Sequence, residues 1–203
     1  MKIIGITGNT GSGKSIVCET IEEIGGYIID ADELAHDAIL RRNDAYNKIT
    51  EIFGTDILSD DNGNEIDRKK LGGIVFGDNE KLDILTKIVH KQVICKSLEI
   101  IKAIQSAPDA YKLIAIDGPL LYEAGMDKIC DAVILITAPK DVRLKRLFAR
   151  DDIDEATAEK RDSSRKSADE YADRVDYTIK NDGCVDELKN KVTKCITEIL
   201  AKR

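Results

Sequence analysis

Residues 5–16 read GITGNTGSGKSI and place four glycines ahead of Lys14 and Ser15. Within this stretch, residues 8–15 fit the pattern G-x-x-x-x-G-K-[ST], which is typical of a phosphate-binding loop. The apolar run KIIGIT at residues 2–7 predicts a buried strand before the loop, and a helix is expected from about Lys14 to Ile24. This order of strand, glycine-rich turn and helix predicts an α/β fold.

Glycine lets the backbone of such a loop turn tightly, so that successive N–H groups at the helix N-terminus point at a phosphate. Lys14 is expected to reach the β and γ phosphates and to take part in catalysis, and the Ser15 hydroxyl is expected to bind Mg²⁺. A glycine-rich turn without a ligand is the alternative. A dinucleotide-binding loop is disfavoured because position 16 is Ile where its third glycine would stand. The expected nucleotide contacts are Gly11, Ser12, Gly13, Lys14, Ser15 and Ile16.

Composition indicates a soluble globular protein. Apolar residues make up 42% and charged residues 34% of the 203 residues, and no apolar run approaches the roughly 18 residues of a membrane-spanning helix. The net charge of −7 disfavours broad binding to duplex nucleic acid. Five scattered cysteines without a C-x-x-C pair predict reduced, buried thiols. We expect a cytoplasmic protein, favoured as a monomer, that binds neither nucleic acid nor membrane.

The rest of the chain alternates strands with helices. Such alternation predicts a parallel sheet with helices on both faces. Further strands are predicted at residues 27–30, 112–117, 132–137 and 175–182. Helices are predicted within a long insertion at about 32–107, at about 141–150, and at the C-terminus, where Val185, Leu188, Val192, Ile196 and Ile199 form an apolar face.

The residue after Asp117 helps to choose among reactions. Gly118 follows this aspartate, so the acid that orients water in many ATPases is missing. A guanine-reading N-K-x-D motif is also missing, because the similar stretches at 47–50 and 190–193 lack the aspartate. Phosphoryl transfer to an organic acceptor remains, and it requires a second binding region and exclusion of water. The insertion after the second strand and the charged segment after the fourth are placed to supply them.

The sequence DAD at residues 30–32 follows the second predicted strand, at the sheet edge where ligands of such folds gather. Asp32 could accept a proton from an attacking hydroxyl or hold Mg²⁺ through water. Helix capping is the alternative for both acids. We favour a functional role for Asp32 and capping for Asp30.

Arginines cluster after the fourth predicted strand. Arginine side chains can neutralise charge on a transferring phosphoryl group. A solvated helix face is the alternative, and periodicity alone does not single out one member. The basic residues are Arg143, Lys145, Arg146 and Arg150, followed by Arg161 and Arg165.

An ordered series of motifs resembles the dephospho-CoA kinase family. After GITGNTGSGKS come IIDADELAH (28–36), KIVHKQV (87–93), DGPLLYEAG (117–125), RLKRLFARD (143–151) and IKNDG (179–183). The series covers nearly the whole chain. Its combination of D-A-D with D-x-P-L-L-[FY]-E is far more specific than the phosphate loop alone.

The resemblance implies transfer of the ATP γ-phosphoryl group to the ribose 3′-hydroxyl of dephospho-CoA, which gives CoA and ADP in the last step of coenzyme A synthesis. It also implies a P-loop kinase-like, three-layer α/β/α fold with a five-stranded parallel sheet. We therefore expect a nucleotide-binding core at residues 1–31, 108–140 and 175–203. Residues 32–107 would form a helical acceptor domain, and residues 141–174 a lid region.

By position, the resemblance makes Asp32 the base that faces the 3′-hydroxyl. Arg146 and Arg161 would neutralise charge at the lid, and residues from Asn181 to Gly183 would border the adenine of ATP. On the acceptor side it places His90, Asp117, Pro119, Leu120 and Glu123.

Three positions depart from the family pattern: Ile16 replaces a usual Thr, Lys91 a usual Pro, and Arg165 a common Gln. Two alternative functions stay open from the sequence. One is a kinase for a nucleoside monophosphate or another small hydroxyl compound. The other is a nucleotide-dependent regulatory module that transfers no phosphate.

Overall fold

The computed structural model describes residues 1–40, 43–59, 65–107, 111–118, 120–151, 157 and 168–202. Within these ranges, one parallel sheet has the strand order β2-β3-β1-β4-β5. The predicted α/β class and five-stranded parallel sheet are confirmed. The strands are β1 (Lys2–Gly8), β2 (Tyr27–Asp30), β3 (Leu113–Asp117), β4 (Ala132–Thr137) and β5 (Tyr177–Lys180).

The helices lie in the regions where the sequence predicts them. They are α1 (Lys14–Glu23), α2 (Ala31–Ala38), α3 (Asp44–Phe53), α4 (Arg68–Val75), α5 (Asn79–Gln105), α6 (Lys140–Asp151) and α7 (Val185–Ala201). Short 3₁₀ turns lie at Thr55–Ile57, Met126–Ile129 and Ala168–Tyr171. No helix in the described ranges is long and apolar enough to cross a membrane.

Strand β1 lies at the centre of the sheet. Its residues pair in parallel with β3, where Ile6 is opposite Asp117, and with β4, where Gly8 is opposite Ile136. Strand β5 is shorter than the predicted 175–182, and beside its start the Asp176 carboxylate accepts a hydrogen bond from the Val133 N–H at 2.8 Å. The sheet therefore presents the carboxyl ends of β1, β3 and β4 side by side.

The chain divides into two compact units, one of Met1–Ile29 with Ile104–Arg203 and the other of Asp30–Ala103. The first unit holds the sheet, and one face of the sheet packs on α1 and α7. The predicted apolar face of α7 is wrong at Val185, which is 52% exposed at the first turn, and Cys195 belongs to the buried face. The core of this unit includes Ile4, Ile6, Val17, Ile21, Ile134, Ile136, Leu188, Val192 and Ile196.

The second unit has its own apolar core, formed by α3, α4 and the N-terminal half of α5. Leu82, Leu85 and Val89 of α5 pack against it. Its buried members are Tyr46, Ile49, Ile57, Ile66, Leu71 and Val75. The acceptor role of residues 32–107 and the lid role of residues 141–174 stay predictions.

The five cysteines are free thiols, as predicted, but the expected burial is wrong for two of them. Cys95 and Cys184 are exposed, whereas Cys195 is buried. Both exposed residues lie outside the buried faces of their helices, Cys95 on α5 and Cys184 at the N-cap of α7.

Candidate functional site

The phosphate-binding loop leaves the carboxyl end of β1 in a conformation that depends on glycine. Gly11 and Gly13 have φ angles of 77° and 102°, in the left-handed region that side chains other than glycine rarely adopt. A Cβ atom on Gly11 would lie 2.7 Å from the carbonyl oxygen of Arg143. The loop thus has no room for side chains at positions where its backbone must turn.

Helix α1 begins without a side-chain cap. Gly13 is the N-cap residue and makes no side-chain hydrogen bond, so the first N–H groups of the helix remain available to an anion. Ser15 in the first turn is exposed, and Ile16 packs against the core of the first unit. The Lys14 ammonium donates to the Gly8 carbonyl at 3.2 Å, which holds this side chain across the loop.

Asn181, directly after β5, holds the phosphate loop through a hydrogen bond to its backbone. Its side-chain amide donates to the Ser12 carbonyl at 2.7 Å, and its backbone N–H donates to the Thr137 carbonyl at 2.7 Å. The side chain is 2% exposed. Sequence reasoning placed Asn181 at the adenine edge and missed this contact, because nothing in the chain order brings the end of β5 to the loop after β1.

Arg146 of α6 bonds the phosphate loop. Its guanidinium donates to the Gly11 carbonyl and to the Asn181 side-chain oxygen, each at 3.3 Å. Arg143 is buried, and its Nε donates to the Ala138 carbonyl at 3.2 Å. Arg161, predicted with Arg146, lies outside the described residues.

The carboxyl end of β3 lies beside the phosphate loop. Asp117 pairs with Ile6 in the sheet, and the Gly118 N–H donates to the Ile6 carbonyl at 3.2 Å. Leu120 is exposed, and the Glu123 carboxylate accepts a hydrogen bond from the Tyr171 hydroxyl. Pro119 lies outside the described residues. The structure therefore brings Asp117 to the sheet edge that carries the phosphate loop, and gives Glu123 a protein partner.

Asp30 and Asp32 have different environments in the second unit. The Asp30 carboxylate accepts hydrogen bonds from the N–H groups of Asp32 and Glu33 at 2.8 and 3.0 Å, so it caps α2 as predicted. The Asp32 side chain is exposed in the first turn of α2. His90 is half-buried on α5. Asp32 is therefore available to a substrate, while Asp30 fixes the start of its helix.

The phosphate loop fits a magnesium ion that is bound by one protein oxygen and otherwise by phosphate oxygens and water. No group of three or more His, Cys, Asp or Glu side chains among the residues described here could hold a metal ion alone. Magnesium in phosphate-transfer enzymes is usually bound by one or two protein groups, substrate phosphates and water. One hydroxyl at Ser15 is consistent with that kind of site.

Comparison with known proteins agrees with this architecture. A family model for Dephospho-CoA kinase matches residues 2–187. A Dephospho-CoA kinase of Carboxydothermus hydrogenoformans is 36% identical over 95% of this chain and 91% of its own.

Two solved structures match this chain over nearly its whole length. A crystal structure from Thermus thermophilus matches with a TM-score of 0.78 and 28% identity over 97% of both chains. A Dephospho-CoA kinase from Campylobacter jejuni matches with a TM-score of 0.70 and 29% identity, covering 97% of this chain and 96% of its own. The present chain belongs to the dephospho-CoA kinase family.

Proposed function

We propose that this protein transfers the γ-phosphoryl group of ATP to the ribose 3′-hydroxyl of dephospho-CoA. The observation that carries the proposal is the family match over residues 2–187, which includes both the phosphate loop and the DAD and DGPLLYE motifs. The glycine conformations of the loop and its contacts with Arg146 support a donor site for a triphosphate.

On the donor side, the N–H groups at the start of α1 bind the phosphates, and Lys14 neutralises charge on the β and γ phosphates. Arg146 holds the Gly11 carbonyl and adds positive charge beside the loop. Mg²⁺, when bound with the triphosphate, would be held by the Ser15 hydroxyl and would neutralise charge on the phosphate oxygens. Residues from Asn181 to Gly183 border the adenine in this proposal.

On the acceptor side, the 3′-oxygen attacks the γ-phosphorus, and the bond between this phosphorus and the β,γ-bridging oxygen breaks to release ADP. The carboxylate of Asp32 takes the hydroxyl proton. Asp30 supports this role because its two hydrogen bonds fix the first turn of α2, which carries Asp32. His90, Asp117, Pro119 and Leu120 are proposed acceptor contacts, and Arg161 is proposed to neutralise charge at the lid.

The test is an acceptor panel with coupled detection of ADP. Purified protein with ATP and Mg²⁺ is expected to convert dephospho-CoA to CoA and ADP, and to leave nucleoside monophosphates largely unreacted. Absence of CoA beside an active reference kinase refutes the proposal. Turnover of a monophosphate in preference to dephospho-CoA would favour the alternative kinase. We further propose that the protein acts as a monomer in the cytoplasm, and light scattering tests the monomer.

A further inference from the structure

Two chain segments of the first unit pack on each other beside the end of β3: the loop 120–125 and the segment 168–174. The rings of Tyr122 and Tyr171 stack with centroids 4.8 Å apart and an interplanar angle of 16°. The Arg174 guanidinium lies over the Tyr122 ring at 4.2 Å from its centroid. Stacked rings and a cation over an aromatic face each stabilise a contact beyond the area that it buries.

Polar contacts join the same two segments. The Tyr171 hydroxyl donates to Glu123 Oε1 at 2.5 Å, and the Tyr122 hydroxyl donates to the Arg174 carbonyl at 3.0 Å. Just after the loop 120–125, Asp127 Oδ2 lies 3.8 Å from Arg174 Nη2. Each segment therefore supplies donors and acceptors to the other across some 50 residues of sequence.

Tyr171 is the buried member of this contact. It is 8% exposed, and burial together with the neighbouring Glu123 carboxylate raises the pKa of Tyr171 to about 12. The phenol thus stays protonated and donates a hydrogen bond throughout the neutral pH range. Loss of the Glu123 oxygen would leave this donor buried without that partner, which is costly.

We propose that Tyr171 is a positioning residue, which holds Glu123 and the loop 120–125 in the shape that binds dephospho-CoA. The inference rests on the proposed function and changes the role expected for Glu123: its carboxylate acts through Tyr171 and does not contact the substrate directly. A loop that is ordered before the substrate arrives costs less to bind, so the contact lowers the KM for the acceptor.

Steady-state kinetics test this role. Tyr171→Phe keeps the ring and removes the hydroxyl, and it is expected to raise the KM for dephospho-CoA about tenfold while the KM for ATP stays within about twofold. Glu123→Gln keeps an acceptor oxygen, so its effect is expected to be within about threefold. Glu123→Ala added to Tyr171→Phe is expected to add less than about twofold, because both changes break one contact.

Tyr111→Phe is the matched control. Tyr111 also pairs with another tyrosine, Tyr27, at 5.3 Å between ring centroids, but it is 42% exposed. It is expected to match the wild type in both KM values. A Glu123→Gln variant whose KM for dephospho-CoA rises as much as that of Tyr171→Phe would show that the charge contacts the substrate, and would overturn the inference. An equal loss for both substrates would overturn it as well.

Hydrogen exchange gives a readout that does not need turnover. Amides of residues 120–125 are expected to exchange faster in Tyr171→Phe than in the wild type or in Tyr111→Phe. Unchanged exchange refutes the positioning contact even if the kinase is active. If the wild type fails to phosphorylate dephospho-CoA, the proposed function fails, while faster exchange in the variant still supports Tyr171 as the residue that orders this loop.

Discussion

Replacement of Asn181 by alanine tests how the phosphate loop is held. The change removes a neutral hydrogen bond to the Ser12 carbonyl at 2.7 Å and a bond at 3.3 Å from the charged Arg146 guanidinium. A neutral bond contributes about 1 kcal/mol and a bond to a charged group about 1.5 to 3 kcal/mol. Because the side chain is 2% exposed, water cannot easily replace either partner. We expect a loss of about 2 to 4 kcal/mol in the free energy of unfolding.

Urea unfolding without ligand measures this loss as a shift of the midpoint at constant slope. The same variant is expected to bind ATP at least about tenfold more weakly, because the loop loses a contact that fixes its shape. Isothermal titration calorimetry measures that affinity. Asn190→Ala is the matched control, since Asn190 is an exposed residue of α7.

Two results would refute this reasoning. An unfolding free energy within about 0.5 kcal/mol of the wild type would mean that the Asn181 contacts contribute nothing net. A large loss of stability with unchanged ATP affinity would mean that Asn181 stabilises the sheet and leaves the loop conformation unaffected.

The conformation of Gly11, the role of Asp32 as a base and the reactivity of the thiols can each be tested by one experiment. Gly11→Ala is expected to weaken ATP binding at least about tenfold by calorimetry, because of its positive φ and the nearby Arg143 carbonyl, whereas the open site of Gly77 tolerates alanine. Asp32→Asn is expected to lower kcat about 10²- to 10⁴-fold with little change in ATP affinity, and unchanged turnover would remove Asp32 from the mechanism. With a thiol reagent at pH 8, Cys95 and Cys184 are expected to react faster than Cys130 and Cys195. Burial raises the pKa of Cys130 to about 12 and of Cys195 to about 11, so both lack thiolate at this pH, whereas Cys95 and Cys184 are exposed.

The strands and the phosphate loop could be predicted closely because their signals are local. Apolar runs and glycine positions predict β1 to within one residue and α1 from its first residue. The capping role of Asp30 was also predictable, since an aspartate directly before a helix satisfies free N–H groups of the first turn.

The contacts that hold the site depend on the order of strands in space, and this order is not visible in the chain. Asn181 reaches Ser12 from the far side of β4, at a sequence separation of 169 residues. Among the basic residues of α6, helical spacing did not single out Arg146, because its role depends on how α6 docks beside the loop. Tyr171 carries no motif at all, and its partner Glu123 belongs to a motif that the resemblance assigns to the substrate.

The hydrogen bond from Asn181 to the Ser12 carbonyl also explains which way the Gly13 N–H points. A trans peptide unit is planar, so the C=O of one residue and the N–H of the next point in opposite directions. Since the Ser12 carbonyl is fixed on Asn181, the N–H of Gly13 must point to the other side of the loop. The glycines make this backbone path possible, but they do not choose the direction. Asn181 sets it for the Gly13 N–H, which is why loss of Asn181 is expected to weaken phosphate binding through the backbone.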